Sequence, residues 1–187
     1  MNEEYFDSSV NEYIIKEETE SYKRQTYWDM AIGLQKVDNL NPSKYLENLT
    51  EENIIGKKTI KDSLEYDLSI EKEKDYKDMN IVDIISNITD FTSRIWQVHP
   101  FREGNTRTTA VFIEKYLRSL GYEVDNTLFK DKSFYFRNAL VRSNCYNSEL
   151  NIKTDSKYLT KFYENLLLGK TNNLHSEDLI VKELTNK

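Results

Sequence analysis

The sequence predicts an all-α helical bundle, and three observations carry that prediction. Apolar residues recur at steps of three and four along most of the chain. Glycine and proline are scarce, five and two in 187 residues, too few for the tight turns of an all-β chain. No repeat or low-complexity run interrupts the pattern. Within this bundle there is room for one small β-hairpin, in residues 53–62.

The elements follow in chain order. Residues 9–36 keep helical spacing through Val10, Tyr13, Ile14, Tyr27, Met30, Ile32 and Leu34. Pro42 sits where a first helical turn accepts it, so "SKYLENLTEEN" makes a short helix that Gly56 ends. "KKTIKDSLEYDL" is ambiguous, with a brief strand at residues 58–60 before a helix. "EKEKDYKD", 71–78, reads as a solvated charged face. The clearest helix is 80–98, where Ile81, Ile84, Ile85, Ile88, Phe91, Ile95 and Val98 form one apolar face. It stops at His99-Pro100, because a residue before proline is pushed out of the α region. Another helix starts near Asn105, with Val111, Phe112, Tyr116 and Leu117 as its buried side and Gly121 at its end. "KSFYFRNALVRSNCY" and "DSKYLTKFYENLLLG" make two more, the aromatics of the first reading as core, and 176–184 a short last one.

Composition excludes several functions. The chain length suits one domain, or one domain plus a small appendage. A net charge of −6 argues against nucleic acid as a ligand, since phosphate-backbone binding needs a basic face. The single cysteine, Cys145, rules out a disulfide within the chain and suits a reducing compartment, so the cytoplasm is the expected location. With one Cys and two His, at 99 and 175, no Cys/His metal cluster can be assembled. The acidic start has no apolar run, so neither a signal peptide nor a membrane anchor is expected there, and no run approaches the length of a membrane span. Oligomeric state is left open.

One stretch asks for a chemical explanation. "HPFREGNTRT", 99–108, joins the two clearest helices and carries far more functionality than a connector needs. If a helix begins near Asn105, backbone N–H groups from Gly104 to Arg107 face the loop, at the positive end of a helix dipole. Gly104 lets the backbone come close to an anion. Arg107 adds a planar donor fork suited to phosphate, and Asn105 an amide donor. Thr108 either touches phosphate or packs. Glu103 is a hard oxygen ligand, and Mg²⁺ is usually held by one or two carboxylates plus substrate phosphates. His99, with a reference pKa of about 6.5, accepts a proton at neutral pH. A base, a magnesium ligand and a polyphosphate cradle imply attack of a hydroxyl on a nucleotide phosphate.

These ten residues resemble the signature of the Fic (Fido) family, His-x-Phe-x-Asp/Glu-Gly-Asn-Gly-Arg-x-x-Arg. The helices from about residue 60 to 169 fit that family's helical core. The resemblance implies a protein adenylyltransferase that moves AMP from ATP to a Ser, Thr or Tyr hydroxyl of a target protein, with Mg²⁺. By matching position it implies His99 as the base, Glu103 as the Mg²⁺ ligand, Gly104, Asn105, Thr106, Arg107 and Thr108 as nucleotide-binding residues, and Phe101 as the loop's anchor in the core. The chain departs from the pattern twice. Thr106 stands where the family has glycine, and Ala110 where it has the second arginine, which holds the γ-phosphate of ATP.

The N-terminal part, residues 1–56, resembles the small helical antitoxin-type module found beside or fused to Fic domains, leaving 57–187 as the core. The resemblance rests on "AIGLQKVDNLNPS", 31–43, and implies Asp38, in degenerate form, at the position of an inhibitory glutamate. That glutamate pairs with the second arginine of the signature, so no ion pair can form between positions 38 and 110 of this chain. Residues 53–62 are the stretch open to a target-docking flap. Two alternatives to AMP transfer use the same residues: a degenerate module that binds a nucleotide or partner without turnover, and Fic-type phosphotransfer.

Overall fold

The computed structural model describes residues 21–36, 41–98, 104–149 and 151–179. The readings made for 9–20 and for 180–184 lie outside them. The described residues form helices α1 (Ser21–Lys36), α2 (Lys44–Ile54), α3 (Ile60–Lys72), α4 (Ile81–Val98), α5 (Asn105–Ser119), α6 (Thr127–Asp131), α7 (Ser133–Asn144) and α8 (Lys157–Leu168), with a 3₁₀ turn at Ser176–Leu179. Among them there is no strand, only two isolated bridges, so the fold is the all-α bundle the apolar spacing predicts. No helix of the described residues is long and apolar enough to cross a membrane.

The hairpin is not there. Residues 53–62 are the end of α2, a turn and the start of α3. Gly56, at φ 76°, closes α2, and the buried Asn53 donates from Nδ2 to the Lys58 carbonyl at 3.0 Å. Thr59 then caps α3: its hydroxyl accepts from the Asp62 N–H, and the Asp62 carboxylate accepts from the Thr59 N–H. This reciprocal pair satisfies donors that a helix start leaves open, and it makes helix, not strand, the outcome at 58–60. The N–H contact and the Thr59 side chain hold the Asp62 carboxyl below its ordinary pKa. Pro42 is buried and precedes Ser43, the N-cap of α2, so it lies just ahead of the helix and not in its first turn.

Helix α1 is fastened to the far end of α2. Ser21 Oγ and Arg24 Nη2 both donate to the Ile54 carbonyl, at 2.8 and 3.1 Å, and Trp28 Nε1 donates to Asn53 Oδ1 at 2.9 Å. A helix end leaves carbonyls without intrahelical donors, so α1 acts as a cap for α2.

Helix α4 is the axis of the core and packs against α3, α5, α7 and α8. Ile88, Phe91 and Val98 are fully buried, and Phe91 meets the edges of Phe112 and Tyr116 on α5. On α5, Leu117 is fully buried and Phe112 and Tyr116 pack against the core as expected, while Val111 is 51% exposed and Ile113 is fully buried in addition. Of "FYFRN", Tyr135 and Phe136 are core as expected, and Phe134 is exposed. Cys145 is buried.

The charged stretch 71–78 is also not simply a solvated face. Glu71 is buried and accepts from the hydroxyls of Tyr76 and, at 3.2 Å, Tyr116, while Lys74 Nζ stands 3.0 Å from its other oxygen. One turn earlier on the same face of α3, buried Asp67 accepts from Tyr45 at 2.6 Å and pairs with Arg94 of α4 at 3.2 Å. Burial, followed by contact with a carboxylate, pushes the Tyr45 and Tyr76 hydroxyls well above the usual tyrosine range. Two carboxylates thus tie α2, α3, α4 and α5 together.

Candidate active site

The apolar face of α4 stays buried to its end: Trp96, Gln97 and Val98 are all inside. Three contacts fix this last stretch. The Ser43 hydroxyl, which caps α2, donates to Gln97 Oε1. Ser93 Oγ donates to Asn144 Oδ1 at 2.7 Å. Asn41 and Tyr146 exchange backbone hydrogen bonds of 2.6 and 3.0 Å, so the strip leading into α2 is held against the end of α7.

Residues 99–103 lie outside the described residues, and with them His99, Phe101 and Glu103. Asp38 lies outside as well. The described chain resumes at Gly104, the N-cap of α5, with φ 76° and ψ 12°. Glycine is favoured here because its φ is in the left-handed region, while a Cβ would make only an ordinary contact, 3.5 Å, with Arg107 Nη2, whose side chain folds back over the helix start. Gly104→Ala should therefore destabilise the domain by about 1–2 kcal/mol, the cost of a left-handed alanine. A urea melt of the variant with an unchanged midpoint would contradict this.

All five described candidates sit on this first turn. The Thr108 N–H donates to the Gly104 carbonyl at 3.0 Å, closing the first helical bond. The N–H groups of Thr106 and Arg107 have no acceptor within the helix, as in any first turn, and the cap offers no side-chain oxygen. Arg107 and Thr108 are exposed, Gly104, Asn105 and Thr106 half-buried, and Thr109 turns into the core. This is a helix N-terminus with an arginine fork beside it, an arrangement that suits phosphate oxygens. Ala110, one turn beyond Thr106, packs partly against the core.

Thr106 makes a contact that sequence reading missed. Its hydroxyl accepts a hydrogen bond from Trp96 Nε1 at 3.1 Å, across the base of the loop. The signal was present: a tryptophan on the buried face of α4 needs a partner for its indole N–H. Among the described residues no group of three or more His, Cys, Asp or Glu could hold a metal ion.

Residues 44–117, from the start of α2 to the buried Leu117 of α5, match the family model for the Fic/DOC family. The chain carries a Fic/DOC-family domain over that span. It is 43% identical over 53 residues to a probable protein adenylyltransferase of Sinorhizobium fredii (strain NBRC 101917 / NGR234), a match covering 28% of this chain and 27% of that relative. The matched part is thus about a quarter of the relative's length. No solved structure matches the chain.

Proposed function

We propose that this chain transfers AMP from ATP, with Mg²⁺, to a Ser, Thr or Tyr hydroxyl of a target protein. The observation that carries the proposal is the start of α5. Gly104 is in the left-handed conformation with the Arg107 guanidinium folded over it, and in sequence it follows Glu103 and, five positions back, His99, within the span that matches the Fic/DOC family. The probable adenylyltransferase relative supports a transferase of this kind.

In this mechanism the first-turn N–H groups, Asn105, Thr106, Arg107 and Thr108 bind and orient the ATP phosphates. His99 takes the proton of the target hydroxyl. Its oxygen forms a bond to the α-phosphorus as the bond from that phosphorus to the bridging oxygen of the β-phosphate breaks, and pyrophosphate leaves. Mg²⁺, held by Glu103 and phosphate oxygens, would neutralise charge on the leaving group. Phe101 is the residue that the family resemblance implies as the loop's anchor. Residues 1–56 are the antitoxin-like segment, with Asp38 a degenerate inhibitory position, and 57–187 the catalytic core, working in the cytoplasm.

One observation favours the second reading, binding without turnover. Ala110 sits half-buried against the core where the signature has its second arginine, so that turn offers no cation to the γ-phosphate. Labelled ATP separates the readings. Label at the α-phosphate passing to protein supports AMP transfer, label at the γ-phosphate alone supports phosphotransfer, and binding with no transfer supports the regulatory module.

The cradle itself has a simpler test. Arg107→Ala and Glu103→Ala should each weaken Mg²⁺-ATP binding by about tenfold to a hundredfold, the range for losing a charge-assisted contact. Calorimetry with Mg²⁺ present that returned the parental affinity for both would leave the phosphate site without support.

A further inference from the structure

We infer that Gln97 is a positioning residue: its side chain ties the last turn of α4 to the start of α2 and so fixes where the chain leaves α4 toward His99, two residues on. The inference rests on His99 as the proposed base and adds to it a residue outside the signature.

Gln97 is 4% exposed at the end of α4, too covered to be a substrate contact. Burying a polar side chain costs free energy unless its groups are hydrogen-bonded. Gln97 Oε1 accepts from Ser43 Oγ, and its Nε2 stands 3.5 Å from the Ser93 carbonyl one turn back. Ser43 is the N-cap of α2. Its one hydroxyl proton goes to Gln97, while a lone pair of the same oxygen takes the Leu46 N–H at 3.2 Å. The side chain that starts α2 is therefore also the one that holds the end of α4. Ser93 lies four residues before Gln97, on the same face, and its hydroxyl donates to Asn144 Oδ1 at 2.7 Å. The Asn144 amide in turn donates to the Leu140 carbonyl at 2.8 Å, within α7. The last turns of α4 are thus gripped from α2 and from α7 by side-chain hydrogen bonds.

A helix end at this position needs such a grip. Its last carbonyls have no intrahelical donors, and Pro100 disfavours helix for the residue before it. Burial of Trp96 and Val98 holds the turn down, but apolar burial is non-directional. The hydrogen bond from Ser43 has a direction and sets the register of the turn. A leucine at 97 would serve burial equally well; the glutamine adds the tie. A base must come within hydrogen-bond reach of the proton it takes, and a misplacement of about 1 Å can cost about 10²-fold in rate. The proposed phosphate contacts start across the loop on α5, so the tie at Gln97 bears on rate and not on nucleotide affinity.

The test uses the full chain and four variants: Gln97→Leu, which keeps the bulk and removes the amide; Ser43→Gly, which removes the hydroxyl where glycine is itself a tolerated N-cap; their double variant; and Ser43→Thr, which keeps the hydroxyl. Transfer is measured from ATP labelled at the α-phosphate to proteins of a cell lysate, Mg²⁺-ATP affinity by calorimetry, and folding by circular dichroism melts. The chain has two histidines, so the imidazole C2 proton of His99 is followed by NMR and assigned with His99→Ala. Gln97→Leu and Ser43→Gly should each slow transfer by about tenfold or more, keep affinity within about twofold, and shift the His99 resonance while that of His175 stays. The double variant should be no slower than the slower single one, because the two residues make one contact. Ser43→Thr should keep the parental rate and resonance. Parental rate and parental His99 resonance in Gln97→Leu would overturn the inference while the proposed transfer stands, and so would a loss confined to affinity or melting temperature. A parent that transfers no AMP, with the His99 resonance still shifted in Gln97→Leu, would overturn the proposed transfer and leave the positioning role in place; an unshifted resonance there would overturn both.

Discussion

Replacing His99 with alanine should lower the rate of AMP transfer by about 10²–10⁴-fold, the contribution of a positioned base, and leave Mg²⁺-ATP affinity within about twofold of the parent. The split follows from the division of labour at the loop. In the proposed mechanism the phosphates would be held by the first turn of α5 and by Arg107, whereas His99 would act on the target hydroxyl alone. The distinction from the cradle variants is therefore sharp: His99→Ala lowers turnover with binding kept, while Arg107→Ala lowers binding. A His99→Ala protein that modifies its target at the parental rate would remove His99 from the role of base.

The second large effect is on stability. Asp67→Ala should cost about 3–5 kcal/mol, as expected when one partner of a buried ion pair is removed and the other left behind. Asp67 accepts from Tyr45 of α2 and pairs with Arg94 of α4, so its loss strands a hydroxyl and a guanidinium between three helices. Asp67→Asn keeps an acceptor for Tyr45 and should cost less. The pH dependence has a definite sign. Burial raises the Asp67 carboxyl above its ordinary value, against the pull of Tyr45 and Arg94. The native state then holds the proton more tightly than the unfolded chain, and that contribution is present below the unfolded value of about 3.9 and lost as pH rises through the folded one. Asp67→Asn removes it, so the acid limb of the stability profile should shift relative to the parent. Urea melts across acid pH that superimpose for parent and Asp67→Asn would contradict this.

That network also marks the limit of what was legible in the sequence. Helices α4 and α5 could be read because each carries its own apolar stripe, a property of local spacing. Glu71 and Tyr76 could not, because a run of charges reads as solvated wherever it stands. One partner of buried Glu71 is Tyr116, 45 residues away, and only the packed bundle brings them together. The misplaced Val111 has a different cause. Two residues along a helix turn the side chain by about 200°, so with Phe112, Tyr116 and Leu117 facing inward Ile113 joins the core and Val111 points to solvent. The absent hairpin turned on a single device, the Thr59–Asp62 capping box, which strand-like "KTI" conceals.

The candidate site divides in the same way. Gly104 to Thr108 stood out because their types and spacing are contiguous, and a helix start was expected at Asn105. Trp96 did not, because its role depends on an oxygen ten residues later and across a loop. Thr106 stands out in the sequence as a departure from the signature's glycine, but its hydroxyl's bond to Trp96 of α4 does not.

Intact-mass spectrometry tests the central claim most directly. The chain is incubated with ATP, Mg²⁺ and cell lysate, beside a His99→Ala control, and the masses of the chain and of lysate proteins are compared before and after. The account predicts a gain of one AMP on at least one protein with the parent and none with the control. No gain with the parent, while calorimetry shows Mg²⁺-ATP bound, would contradict transfer and leave a nucleotide-binding module in its place.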